Sequence, residues 1–106
     1  MAILRTSHTR FSMNKTITKD KNDRITEIRL PFSKTVDIRC CFQYQQSDIT
    51  NRPIVFTRVD DNWENECGGA VIICTETIQQ GLADSIQHIN DLDKRNIIRS
   101  VLCELF

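Results

Sequence analysis

Residues Thr35 to Tyr44 read TVDIRCCFQY, and their alternation decides the fold class. Val36, Ile38, Cys40 and Phe42 share one parity, while Asp37, Arg39, Cys41 and Gln43 share the other. Successive side chains of a strand point to opposite faces, so this period of two predicts a half-buried strand with one apolar side. Its neighbours have a similar texture. Thr9 to Lys19 alternate more loosely and end at Asp20-Lys21-Asn22-Asp23, where Asp and Asn side chains can bond their own backbone and turn the chain. Arg24 to Leu30 form the returning strand, ended by Pro31, and Pro53 to Val59 give a fourth, with the proline in the first position where its missing N–H costs little.

Beyond Val59 the pattern changes. Asp60 to Glu66 read as a polar loop leading to Gly68-Gly69 and the run Ala70 to Cys74. Val71, Cys74, Ile78, Leu82, Ile86 and Ile89 are spaced as one long helix would require, yet a β-branched run after two glycines also suits a strand. The reading adopted is a fifth short strand and then a helix from about Glu76 to Asn90. Asp91 or Asp93 caps a last helix whose Ile97, Ile98, Val101, Leu102 and Leu105 form one stripe. The expected fold class is α+β: residues 1–106 form a single domain with an antiparallel sheet of four to five strands within 1–75. Two C-terminal helices within 76–106 pack on one face of that sheet.

The net charge of zero conceals a division. Residues 1–39 carry nine Lys and Arg against four acids, so they are +5 and the rest of the chain is −5. From Asp60 to Asp93 there are eight acids and neither Lys nor Arg. An acidic surface attracts and steers a basic partner and repels nucleic acid. The start, MAILRTSHTR, lacks a signal-peptide core, and the longest wholly apolar run is Ala70 to Cys74, which predicts a soluble, cytoplasmic protein with reduced, mostly buried thiols.

Motifs for chemistry are sparse. Cys40-Cys41 point to opposite faces of a strand and Cys67 stands seven residues before Cys74, neither being the short-spaced pair of a structural zinc site. Asp60, Asp61, Glu64 and Glu66 lack the order of a calcium loop, and Gly68-Gly69 is neither a phosphate loop nor a dinucleotide fingerprint. No metal and no cofactor are expected. His88, with Asp84 four residues before it, is a candidate acid–base pair, though an exposed pair on a helix has the same spacing. Arg5, Arg10, Lys15, Lys19, Lys21, Arg24 and Arg29 with Phe11 could contact nucleic acid, against the alternative that they pair with acidic neighbours in the fold.

Trp63 among carboxylates has the composition of an interface anchor, a large apolar surface ringed by charges, although a lone Trp can equally cover a core. Elimination and charge together predict a non-catalytic inhibitor that occludes a basic, nucleic-acid-acting protein, of the bacterial toxin-immunity kind or a phage anti-defence kind. The expected partner-binding residues are Asp60, Asp61, Trp63, Glu64, Glu66, Asp84 and Asp91. The alternatives are a nucleic-acid-associated regulator using the basic strands and a small enzyme centred on His88.

Overall fold

A computed structural model describes residues 15–63 and 70–106 of the chain. Five strands come first: β1 (Thr16–Lys19), β2 (Ile25–Pro31), β3 (Asp37–Gln46), β4 (Pro53–Trp63) and β5 (Val71–Thr75). Two helices follow, α1 (Ile78–Ile86) and α2 (Leu92–Leu105). The sheet is an antiparallel meander in sequence order, with both helices on one side, which is the expected α+β architecture with the fifth strand present. Among the described residues, no helix is long and apolar enough to cross a membrane.

Register turns the alternation of β3 into a core. Ile28 pairs with Cys40, Leu30 with Ile38, Cys40 with Val59 and Phe42 with Thr57, so one parity from three adjacent strands meets on the helical side. Ile28, Ile38, Cys40, Val55 and Thr57 there are almost wholly inaccessible. Leu82, Ile86, Ile89, Ile98 and Val101 close the core from above. A one-residue slip of any central strand would exchange this set for charged side chains, so the pattern specifies register as well as strand.

Local chemistry fixes the ends. Asp20 Oδ1 accepts from the Asn22 and Arg24 amides at 2.8 and 3.0 Å, and Asp23 adopts φ 65° to complete the first turn. These bonds, the one from the Arg24 amide foremost, hold the Asp20 carboxyl below its ordinary pKa. Thr77 caps α1 by accepting from the Gln80 amide, and Asp91 rather than Asp93 caps α2, accepting from the Asp93 and Lys94 amides. α1 lies so close to β4 that a Cβ on Gly81 would stand 2.1 Å from Thr57 Oγ1, and only glycine fits there.

Four expectations need correction. β4 continues through Asp60, Asp61, Asn62 and Trp63, where a loop was expected, because a register shift between Asp37 and Arg39 lets those residues stay paired with β3. α1 ends at Ile86, before Asn90; the Gln87, His88 and Ile89 amides bond carbonyls three residues back, so Ile89 reaches the core from a turn. Pro31 ends β2 from within, paired with Asp37. Of the four described thiols only Cys40 is buried, with Cys41, Cys74 and Cys103 exposed, since period two must place Cys41 opposite Cys40. Thr9 to Asn14 of the expected first strand, and Cys67, lie outside the described residues.

Candidate binding surface on the open sheet face

The parity that avoids the core supplies the other face of the sheet, which neither helix covers. Cross-strand pairing lines up Glu27 with Cys41 and Arg29 with Arg39. It also sets Arg39 against Asp60, Cys41 against Arg58, Gln43 against Phe56, and then Phe56 against Cys74 and Arg58 against Ile72. The surface is therefore aromatic, aliphatic and charged at once. Ile72 is 62% exposed on it.

At one end of this face Arg39 lies over the Trp63 indole, 4.1 Å from the ring centroid. Trp63 is held by its place at the end of β4, opposite Asp37. Arg39 Nε stands 4.0 Å from Glu27 Oε1, and Arg29 Nε stands 4.0 Å from the same oxygen and 3.9 Å from Asp37 Oδ2. This network of long contacts orients the guanidinium groups more than it stabilises the fold, since part-exposed pairs are each worth about 0–1 kcal/mol. Asp60, opposite Arg39, is 5% exposed; its Oδ1 accepts from the Asn62 amide at 3.0 Å while Oδ2 is buried without a hydrogen-bond partner among the described residues.

Two clefts mark the face. One of about 180 Å³ is lined by Arg39, Cys41, Arg58, Asp60 and Trp63. The other, about 290 Å³, lies beside Phe56, Arg58 and Ile72. Pockets that engulf small molecules begin at about 300 Å³ and are concave. These shallow depressions on a sheet suit side chains of a macromolecule better than a whole ligand.

The expected partner-binding residues are not gathered in one place. Asp60 is buried in β4, Asp61 and Trp63 are half-buried at the end of the same strand, and Glu64 and Glu66 lie outside the described residues. Asp84 and Asp91 belong to the helical layer, across the sheet from the Arg39–Trp63 stack. Asp84 Oδ1 accepts from Gln80 Nε2 at 3.1 Å, and the Asp91 carboxylate caps α2. His88 is exposed in the turn after α1. Cys40 is remote from solvent, and burial, with smaller contributions from Cys41 and Glu27, pushes its thiol up to about 12, which makes it a packing residue. Among the described residues no three His, Cys, Asp or Glu side chains are grouped to hold a metal ion.

Sequence reasoning passed over Arg39, Cys41, Phe56, Arg58 and Ile72 as site residues. Parity alone pointed to Arg39 and Cys41 as non-core positions, and only pairing reveals that they are contiguous with Phe56, Arg58 and Ile72.

Charge is interleaved in space. Lys15 pairs with Glu104, Lys19 with Asp23, Arg24 with Asp20, and Arg52 with Glu76 at 3.8 Å. Of these, Lys15–Glu104 joins the +5 and −5 parts of the sequence, as does the placement of Arg39 opposite Asp60, while the others are matched within one part, so the described basic strands carry their own acids. No protein-family model, curated protein or solved structure matches this chain.

Proposed function

We propose that this chain is a non-catalytic binding protein whose uncovered sheet face docks on another protein and occludes it, as an immunity protein or a phage anti-defence inhibitor would. The observation that supports this most is the Arg39–Trp63 stack beside exposed Ile72 and Arg58 and half-buried Phe56, on a sheet face that neither helix covers. Trp and Arg are the residue types that most often dominate binding energy, above all where a pre-oriented pair offers both apolar area and directed charge. A sheet face supported by a packed helical layer is also rigid, which lowers the entropy cost of docking.

The partner is expected to be basic and to act on nucleic acid. Asp61 beside Trp63 would supply near contacts on the open face, to which Asp84 and Asp91 of the helical layer do not contribute. Direct nucleic-acid binding is disfavoured by the acids that accompany Arg24, Arg29 and Arg39. Each matched carboxylate offsets the field that phosphate recognition relies on.

The test is co-purification from the native host, with nuclease treatment, of a tagged parent chain and its Trp63→Ala variant. A stoichiometric basic protein retained by the parent and lost by the variant is the expected result. Nuclease-sensitive retention would favour the regulator, and equal retention by both would remove Trp63 from the interface.

A further inference from the structure

The two edges of the sheet are built differently. β1 has four residues, includes Lys19, and breaks register with β2 between Thr18 and Lys19. Short length, lysine and a bulge are the usual devices that stop an edge strand from recruiting another strand. β5 has none of them among its residues: Val71-Ile72-Ile73-Cys74-Thr75 is uncharged, contains no proline and runs in unbroken register with β4. Among the described residues no strand pairs with its outer side, and Val71 is 39% and Ile72 62% exposed. The helix beside it continues the theme. From Ala70 to Ala83 the only charged residue is Glu76, which pairs with Arg52, and the exposed positions of α1 include the uncharged Gln79, Gln80 and Ala83.

We propose that β5 is a self-association edge, pairing antiparallel with β5 of a second copy about a two-fold axis perpendicular to the sheet. The occupant follows from charge and symmetry. A strand without charge meets its own image without repulsion, whereas a partner selected by charge would gain nothing from this edge. Such an axis keeps both helical layers on the same side, so paired residue numbers must sum to an even value. Of those registers, only Ile73 opposite Ile73 engages all five residues of both strands, with Ile72 opposite Cys74 and Val71 opposite Thr75. The exposed Ile72 of each copy is then covered by the other, and a sheet of ten strands results. This dimer leaves the Arg39–Trp63 stack free, because neither residue is among β5's partner positions on β4, which run from Val55 to Val59, while Ile72 is common to this edge and to the open face.

Sedimentation of the full chain over a range of concentrations, with thiols kept reduced, is the first test. A monomer–dimer equilibrium is expected, and Ile72→Glu should weaken it about tenfold or more, since two symmetric cross-strand contacts are lost. The introduced carboxylate would stand opposite Arg58 of its own copy, so the fold should keep its circular dichroism and melting temperature. The second measurement is geometric. In this register the two Cys74 residues are diagonal neighbours with about 7–8 Å between their α-carbons. A short bis-maleimide should therefore link Cys74 to Cys74 between copies, and Cys74→Ser should abolish the link. A chain monomeric at every concentration, or a dimer that survives Ile72→Glu and is bridged only through other thiols, overturns the proposal.

Discussion

The two faces of one sheet obey different rules. On the helical face, Ile28, Ile38, Cys40 and Val55 are 0–1% exposed, and each change must alter a close-packed core. On the open face, Arg29, Arg39 and Arg58 lie among Glu27, Asp37 and Asp60, with Trp63, Phe56 and Ile72 uncovered by either helix. The first face holds the fold together and the second is free to be used. Substitutions on the helical face should therefore unfold the protein, whereas those on the open face should leave it folded and alter what it binds.

The largest separation between the faces is expected at alkaline pH. Burial keeps the Cys40 thiol neutral in the folded state up to about 12, against 9.0 when unfolded. The sign follows directly: the folded state holds this proton more tightly, so the stabilisation is complete below pH 9 and is lost as pH rises toward 12. That difference in proton affinity corresponds to about 4 kcal/mol. Urea midpoints measured between about pH 8 and 11 should fall, and Cys40→Ala should flatten the fall. Part of the slope should remain in that variant, because Tyr44, raised chiefly by burial, titrates in the same direction.

Next in size is Ile38→Ala, which empties a site with no exposure and should cost about 3 kcal/mol. Ile72→Ala on the open face should change stability by less than about 0.5 kcal/mol. Equal losses would mean that the open face is structural. Gly81→Ala comes third: its Cβ would meet Thr57 Oγ1 at 2.1 Å and Thr57 Cβ at 2.8 Å, and the strain should outweigh the gain in helix propensity by about 2 kcal/mol. Thr57→Ala in the same chain should recover part of that loss in thermal melts, which separates the contact from a general effect on α1.

These contrasts also explain what could be read before the structure was known. The core of β3 was evident because Ile38, Cys40 and Phe42 alternate without a break, although Val36 of the same parity precedes the strand and is only half-buried, and the helix of Ile98 and Val101 because its stripe begins at a capping Asp. The extension of β4 was not. Asp60, Asp61 and Asn62 are poor strand formers and common turn residues, and only pairing across a bulge with β3 keeps them extended. The end of α1 was hidden for the converse reason, since Ile86 and Ile89 keep helical spacing although a turn delivers the second. Charge misled most. Arg39 and Asp60 are far apart in sequence and fall in oppositely charged parts, yet β3–β4 pairing makes them neighbours, and no local window contains that fact. The same pairing removes Asp60 from the exposed acidic set and brings Arg39 to Trp63.

Only a small effect on folding should come from the pair expected to matter most for binding. Trp63→Ala and Arg39→Ala each remove a part-exposed cation–π contact worth about 0.5–1 kcal/mol of stability. The most direct measurement takes the protein captured by the parent chain and compares its dissociation rate from parent and Trp63→Ala chains, both confirmed folded by their melting curves. Loss of a central anchor should speed dissociation by about thirtyfold, the equivalent of about 2 kcal/mol, with little change in association rate. Unchanged dissociation from a folded Trp63→Ala chain would contradict the assignment of the open sheet face as the docking surface.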